Sequence, residues 1–314
     1  MMRNVCVTFL LLAIGGIASA ADDRRPNGFL IDEPLVPADL IKKGGPPRDG
    51  IPAINAPRFV SAENADFLDP DDRVLGLSLD GSSKAYPVRI LNLHEVVNDW
   101  IGKRPVVVTY CPLCGSGVAF SALVSGRELT FGVSGLLYNS DVLLYDRETE
   151  SLWSQIAGKS VNGTLKGLDL QQLPLQHTSW QDWRQRHPDT RVLSTETGFR
   201  FIDYDRDPYA EYRRSSRLWF PVSSKDSRLR NKTWVLGVVA DGKARAYPLR
   251  SLKKSESPLQ DRIGDIPVTI EFDNAHQTAV ALDQNGDYLE SIQLYWFAWA
   301  AFHPDTSVWG RDDD

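Results

Sequence analysis

The sequence predicts an α+β protein, mainly antiparallel β-sheet with short helices, built from two divergent internal repeats. Three observations predict it. Residues 74–87 recur without a gap as residues 235–248, and each copy later closes on a tryptophan followed by His-Pro-Asp-Thr, at Trp183 and at Trp299. Asp80-Gly81 and Asp241-Gly242 each sit between two short runs of strand-forming residues, the pattern of a tight hairpin. No alternation of strands with long amphipathic helices runs along the chain, which excludes a doubly wound sheet.

Taken in order, the chain opens with Arg3, an apolar run over residues 5–17 and the small residues Ala18, Ser19 and Ala20, the pattern of a secretory signal peptide over residues 1–20. The expected product is periplasmic or secreted, with no transmembrane anchor, because no later stretch approaches the roughly 18 apolar residues a spanning helix needs. Cleavage removes Cys6, Met1 and Met2, so the mature chain keeps sulfur only at Cys111 and Cys114. Residues 21–57 hold seven prolines. Each proline fixes φ and removes a donor, so this segment reads as an arm laid on the body. Residues 58–198 form the first repeat, 199–220 a connector, 221–311 a shorter second repeat and 312–314 an acidic tail.

Within the first repeat, Leu93, Val96, Val97, Trp100 and Ile101 fall at helical spacing, predicting a short helix ended by Gly102. Residues 106–110 read as a buried strand, and residues 118–124, 129–133, 142–145 and 151–153 as a meander. A brief helix is expected over residues 179–186, stopped by Pro188. Asp283 to Asp287 reads as a hairpin turn rather than a calcium loop, because the remaining ligand spacing is missing.

The strand at 106–110 runs straight into Cys111-Pro112-Leu113-Cys114, followed by Gly115-Ser116-Gly117. Pro112 suits the first position of a helical turn, which would aim backbone amides at the Cys111 sulfur. Gly115, Ser116 and Gly117 deny the long helix that a thioredoxin-type fold requires. In the second copy the positions of the two cysteines hold Asp273 and His276, so the fold unit does without thiols there.

Three functions fit this pair. A redox-active dithiol would exchange with a protein or a small-molecule thiol, making the chain a thiol-disulfide oxidoreductase. In that reading Cys111 attacks, Cys114 resolves, and His94 and Glu95 handle the proton. Copper or zinc bound by Cys111, Cys114, His94 and His276 is the second reading, since a structural zinc ribbon needs a second cysteine pair that the chain lacks. A structural disulfide in a non-enzymatic binding protein is the third. Tyr110, Pro112, Tyr138, Asn139, Asp141 and Trp153 are candidates to line a pocket beside the thiols. His187 and His303, each before proline in the repeated turn, look structural.

A net charge of −6 and a sequence pI near 5.5 leave no basic stripe for phosphates, which excludes nucleic acid as a partner. Hydrolase elbows and phosphate-cradling loops are missing as well. Residues 94–99, the run from Val106 to Gly115, Tyr138 to Asp141, residues 145–155, Trp183, residues 187–190 and Asp207-Pro208-Tyr209 together resemble the bacterial and archaeal family of domain of unknown function 3179. The resemblance spans most of the mature chain and implies no activity.

Overall fold

The structure, a computed structural model, describes residues 25–311. The expected signal peptide, with Cys6, and the acidic tail lie outside these residues.

Local chemistry sets the hairpins. Arg73–Leu79 and Ser82–Pro87 pair antiparallel around Asp80 and Gly81, and Trp234–Ala240 pairs with Lys243–Pro248 around Asp241 and Gly242. All four turn residues have positive φ, 50° and 78° in the first turn and 51° and 66° in the second, as tight primed turns demand. Each hairpin then receives its tryptophan. A Cβ at Gly76 would stand 2.2 Å from the Trp183 ring, and one at Gly237 the same distance from Trp299. The indole N–H groups donate to Thr190 at 2.9 Å and Thr306 at 2.8 Å. His187 and His303 lie on these rings, with centroids 4.0 Å apart in both cases. The repeated Gly, Trp, His and Thr are therefore one packing device used twice.

The fold class expected from the sequence is corrected by the sheets. The described residues are mostly β, with 40% of them in strands and 14% in helices, arranged as a five-bladed β-propeller rather than as an α+β protein of two repeats. Two blades are built on the duplicated hairpins. One adds Leu175–Ser179, Arg191–Leu193 and Phe59–Ser61, and the other adds Ser291–Tyr295 and Ser307–Val308. A third blade, the thiol blade, runs Gln172–Leu173, Ser116–Ser121, Arg104–Cys111 and Val96–Ile101. A fourth holds Leu259–Ile263, Ile266–Asp273, Thr278–Leu282 and Tyr288–Leu289. The fifth comes from Lys42–Lys43, Phe131–Tyr138, Asp141–Asp146, Leu152–Ser154 and Lys159–Asn162, and it belongs to a stretch with no counterpart in the shorter copy. The sequence correspondence thus reaches single sheets, and the unmatched stretch makes the blade count odd.

The helix expected over residues 93–101 is also corrected. The helix is Val88–His94, and Val96–Ile101 is a strand paired with Arg104–Cys111. Glu95 ends the helix in the left-handed region at φ 59° and lets the chain reverse. Trp180–Arg186 is helical, capped by Ser179, whose hydroxyl accepts from the amide of Asp182. Asp283 to Asp287 is a turn between strands. The proline-rich residues are not free of the body: Phe29 and Ile54 are buried, and the Ile54 amide donates to the Val96 carbonyl at 2.9 Å. No helix of the described residues is long and apolar enough to cross a membrane.

Strand Arg104–Cys111 serves two cores, as alternation requires. Val107 and Cys111 pack into one that includes Trp153, Phe131 and Tyr295, whereas Val106, Val108 and Tyr110 pack into another with Leu75, Tyr86 and Ile90.

Candidate functional site

Cys111 is the last residue of its strand and pairs with Ser116 across the hairpin. Between them the chain makes a tight turn closed by the Gly115 amide donating to the Cys111 carbonyl at 2.8 Å. Gly115 has φ 66°, and a Cβ there would meet Trp234 at 2.7 Å, so only glycine fits. Pro112 thus opens a single turn and not a helix; the Cys114 backbone amide still bonds the Cys111 sulfur and favours its thiolate, against the larger opposing effect of burial.

The neighbouring blade completes the site with a two-residue turn. Asn139 and Ser140 join Phe131–Tyr138 to Asp141–Asp146 with φ values of 53° and 64°, the pattern of a type I′ hairpin. The turn is anchored on both flanks: Asn139 donates to the Ala301 carbonyl at 3.2 Å and accepts from the Ser223 amide at 2.7 Å, and the Ser140 hydroxyl donates to the Phe220 carbonyl at 2.8 Å. Its Ser140 carbonyl accepts from Cys114 Sγ at 3.4 Å and Cys111 Sγ at 3.8 Å.

Asp141, next in sequence, brings its carboxylate to the same place. The Sγ atoms of Cys111 and Cys114 and one carboxylate oxygen of Asp141 all lie within 4.8 Å of one another, and all three residues are buried. Asp141 also accepts from the Ser116 hydroxyl at 3.4 Å and the Ile156 amide at 3.2 Å. Behind it, Ser116 donates to Gln155 at 2.6 Å, and the Gln155 amide donates to Thr109 at 2.9 Å.

Burial governs the acidity of the cluster. It pushes the Cys111 thiol up, with the charges of Asp141 and Glu95 adding to the effect, and pushes Cys114 well above the ordinary thiol range. The Asp141 carboxyl is pushed up to about 7 by burial, against the pull of its hydrogen bonds. Glu95 is pushed up to about 8 by burial and then by the charge of Asp141. Four buried acidic groups therefore gather with no cation among the main influences on any of them. Such surroundings favour the protonated form of each group, and a bound positive ion would favour the charged form.

The other residues singled out from sequence are distributed more widely. His94 is fully buried, with Nδ1 2.6 Å from the Pro52 carbonyl and Nε2 2.7 Å from the Tyr204 hydroxyl. A carbonyl only accepts, so Nδ1 carries the proton and Tyr204 donates to Nε2. Both nitrogens are occupied, and burial pulls the imidazole below its usual range. His276 sits in a second cluster with Asp182 and Asp273, bonded to Asp273 at 2.8 Å. Tyr138 packs edge-on against Phe302, and Trp153 donates to Asp146 at 2.9 Å inside the core. Tyr110 faces the other core. Sequence reasoning missed the Ser140 carbonyl, which carries no side-chain signature, and Tyr209, whose hydroxyl is raised by burial and by the charges of Glu95 and Cys111.

Neither a curated protein nor a solved structure matches the chain. A family model does, over residues 48–306, a span that holds all four acidic groups and all five blades except the Lys42–Lys43 and Ser307–Val308 edges. On that match the chain belongs to the family described as protein of unknown function, DUF3179.

Proposed function

We propose that Cys111, Cys114 and Asp141 bind a thiophilic metal ion, zinc or copper(I). The observation that carries this reading is the buried convergence of two sulfurs and a carboxylate within 4.8 Å without a compensating cation. Two thiolates select these soft or borderline ions over magnesium or calcium. Binding displaces the thiol protons, so ion and protons compete for the same site. The test is metal analysis of the purified mature chain after loading with zinc or with copper(I), together with alkylation of its thiols. One equivalent of ion with both thiols protected is expected, and a Cys111→Ser/Cys114→Ser double variant should hold none. Equal metal content in the parent and the double variant rejects the site.

A second reading has its own support, because both sulfurs approach one carbonyl oxygen. A disulfide between Cys111 and Cys114 would form as the two thiols give up two electrons and two protons to a partner disulfide, which leaves as two thiols. Cys111 is 2% exposed and Cys114 0%, so a small thiol suits the pair better than a protein surface. Titration of the free thiols against glutathione ratios distinguishes a reversible mid-range potential from a pair that never oxidises.

A further inference from the structure

On the other face of the thiol strand lies a cavity of about 230 Å³. Tyr110 lines it from the thiol blade, Arg73 and His177 from a duplicated-hairpin blade, Trp234 from the other such blade, and Arg213 from the short helix Ala210–Arg214. Its size falls below the roughly 300–1,000 Å³ of sites for drug-sized molecules and suits a small metabolite.

Its polar groups are incomplete. His177 is 5% exposed, wedged edge-on between Tyr110 and Trp234, and neither of its ring nitrogens has a hydrogen-bond partner. Asn92, 6% exposed on the same wall, has an unpartnered Oδ1. Buried polar atoms are rarely left so, and each costs about 1–3 kcal/mol when unmade. Burial and the Arg73 charge hold His177 well below the ordinary imidazole range, so it is neutral, with one nitrogen donating and one accepting.

Charge adds a second, independent pointer. Of the aspartates on the wall, Asp72 and Asp205 pair with Arg89, and Asp207 with Arg213. Arg73 instead meets only backbone carbonyls, those of His276, His177 and Gln277, and burial pulls it down to about 10. It is a half-buried cation with no carboxylate bonded to it, Asp182 acting on it only through its charge. The adjoining cavity, about 450 Å³, shares Arg213 and Trp234 and adds Arg214, Arg230, Lys232, Arg250 and Lys253 against a single carboxylate, Asp273. In a chain of net charge −6 this concentration of cations forms an attractive approach for anions.

We propose that this cavity binds a small organic carboxylate bearing a hydroxyl or amino group. The carboxylate meets Arg73, Arg213 and the donors of Tyr110 and His177, while the hydroxyl or amino hydrogen satisfies Asn92 Oδ1 or the accepting nitrogen of His177. An anion without a donor leaves those acceptors unmade and binds less well.

The probes are glycolate, L-lactate and L-alanine, with acetate and lactamide as controls, measured by calorimetry and by the rise in Tm of the purified chain. At least one of the first three should bind at least tenfold tighter than acetate, and lactamide should not bind. Tyr110→Phe should weaken that binding several-fold without unfolding the protein. His177→Phe fills the same space without orphaned nitrogens, so it should keep or raise Tm in buffer while abolishing the ligand-induced rise. Absence of binding by all three acids overturns the proposal. So does binding that is unchanged in both variants.

Discussion

Ser140 and Cys114 meet across a blade boundary, with the carbonyl of one accepting the thiol of the other at 3.4 Å. The direction of that carbonyl is fixed by the left-handed backbone of the turn and not by any side chain, and Asp141 follows it immediately. The cluster is thus placed by two turns, one holding the sulfurs and one holding the carboxylate, each locked by a backbone conformation that few residues adopt.

Asp141→Asn keeps the shape of the site and removes its charge. Zinc affinity, measured by competition with a chromophoric chelator, should fall at least tenfold, about 1.4 kcal/mol. Far-ultraviolet circular dichroism should be unchanged.

Gly115→Ala places a methyl group against Trp234 at a φ that disfavours it. Denaturant unfolding should show a loss of about 1–3 kcal/mol, and the displaced thiol turn should bind metal more weakly than the parent.

Gly76→Ala and Gly237→Ala test the duplicated tryptophan seats. Neither glycine needs positive φ, so the cost is purely the overlap with Trp183 or Trp299. Each should destabilise by about 1–3 kcal/mol or more in chemical denaturation, with the two effects adding because the seats are in different blades.

Two further equivalent clusters stand behind the hairpins. Lys84 reaches Asp99 at 2.7 Å with Tyr86 donating to the same carboxylate at 2.7 Å, and Arg245 reaches Asp261 at 2.9 Å with Tyr247 donating at 2.7 Å. These pairs are largely buried, so Asp99→Ala and Asp261→Ala each take the bonded carboxylate away from a largely desolvated cation. A loss of about 3–5 kcal/mol is expected by thermal or urea unfolding, far beyond that of a surface pair.

Burial holds His303 down to about 4, from an ordinary value of 6.5. Above about pH 6.5 both folded and unfolded chains carry it neutral, and it contributes nothing. Between about 6.5 and 4 only the unfolded chain gains the proton, so stability falls with pH across that window. His303→Gln should shift the acid unfolding midpoint to lower pH. The residual slope should remain, because burial also lowers His94 and His177.

What the sequence made legible follows from how local each cause is. Residues 106–109 are β-branched, and they form a strand wherever they pack. The hairpin turns and the Trp-His-Thr seats are read from short motifs for the same reason. Residues 93–101 misled because Leu93, Val96, Val97 and Trp100 satisfy helical spacing as well as strand alternation. The arbiter was Glu95 entering the left-handed region, an event with no signature in a glutamate. A clue did exist: Asp99 aligns with Asp261 at the same offset as Gly102 with Gly264, which places it in a strand beside Lys84. The partners of His94 are Pro52 and Tyr204, one on either side of it and far off in sequence, so its withdrawal from the thiols could not be inferred locally. The blade count depended on residues 131–162, which the internal comparison could only treat as an insertion.

The thiol turn is moored far downstream. The Leu113 carbonyl accepts from the Tyr212 hydroxyl at 3.0 Å, and the Cys114 carbonyl accepts from the Tyr295 amide at 2.8 Å. Two consecutive peptide groups of the sulfur-bearing loop are thus tied to the last third of the polypeptide. A fragment ending at residue 198 would contain Cys111, Cys114, Asp141 and Glu95 and still lack the struts that hold the thiol turn. The placement of the two sulfurs thus depends on residues as distant in sequence as Tyr212 and Tyr295.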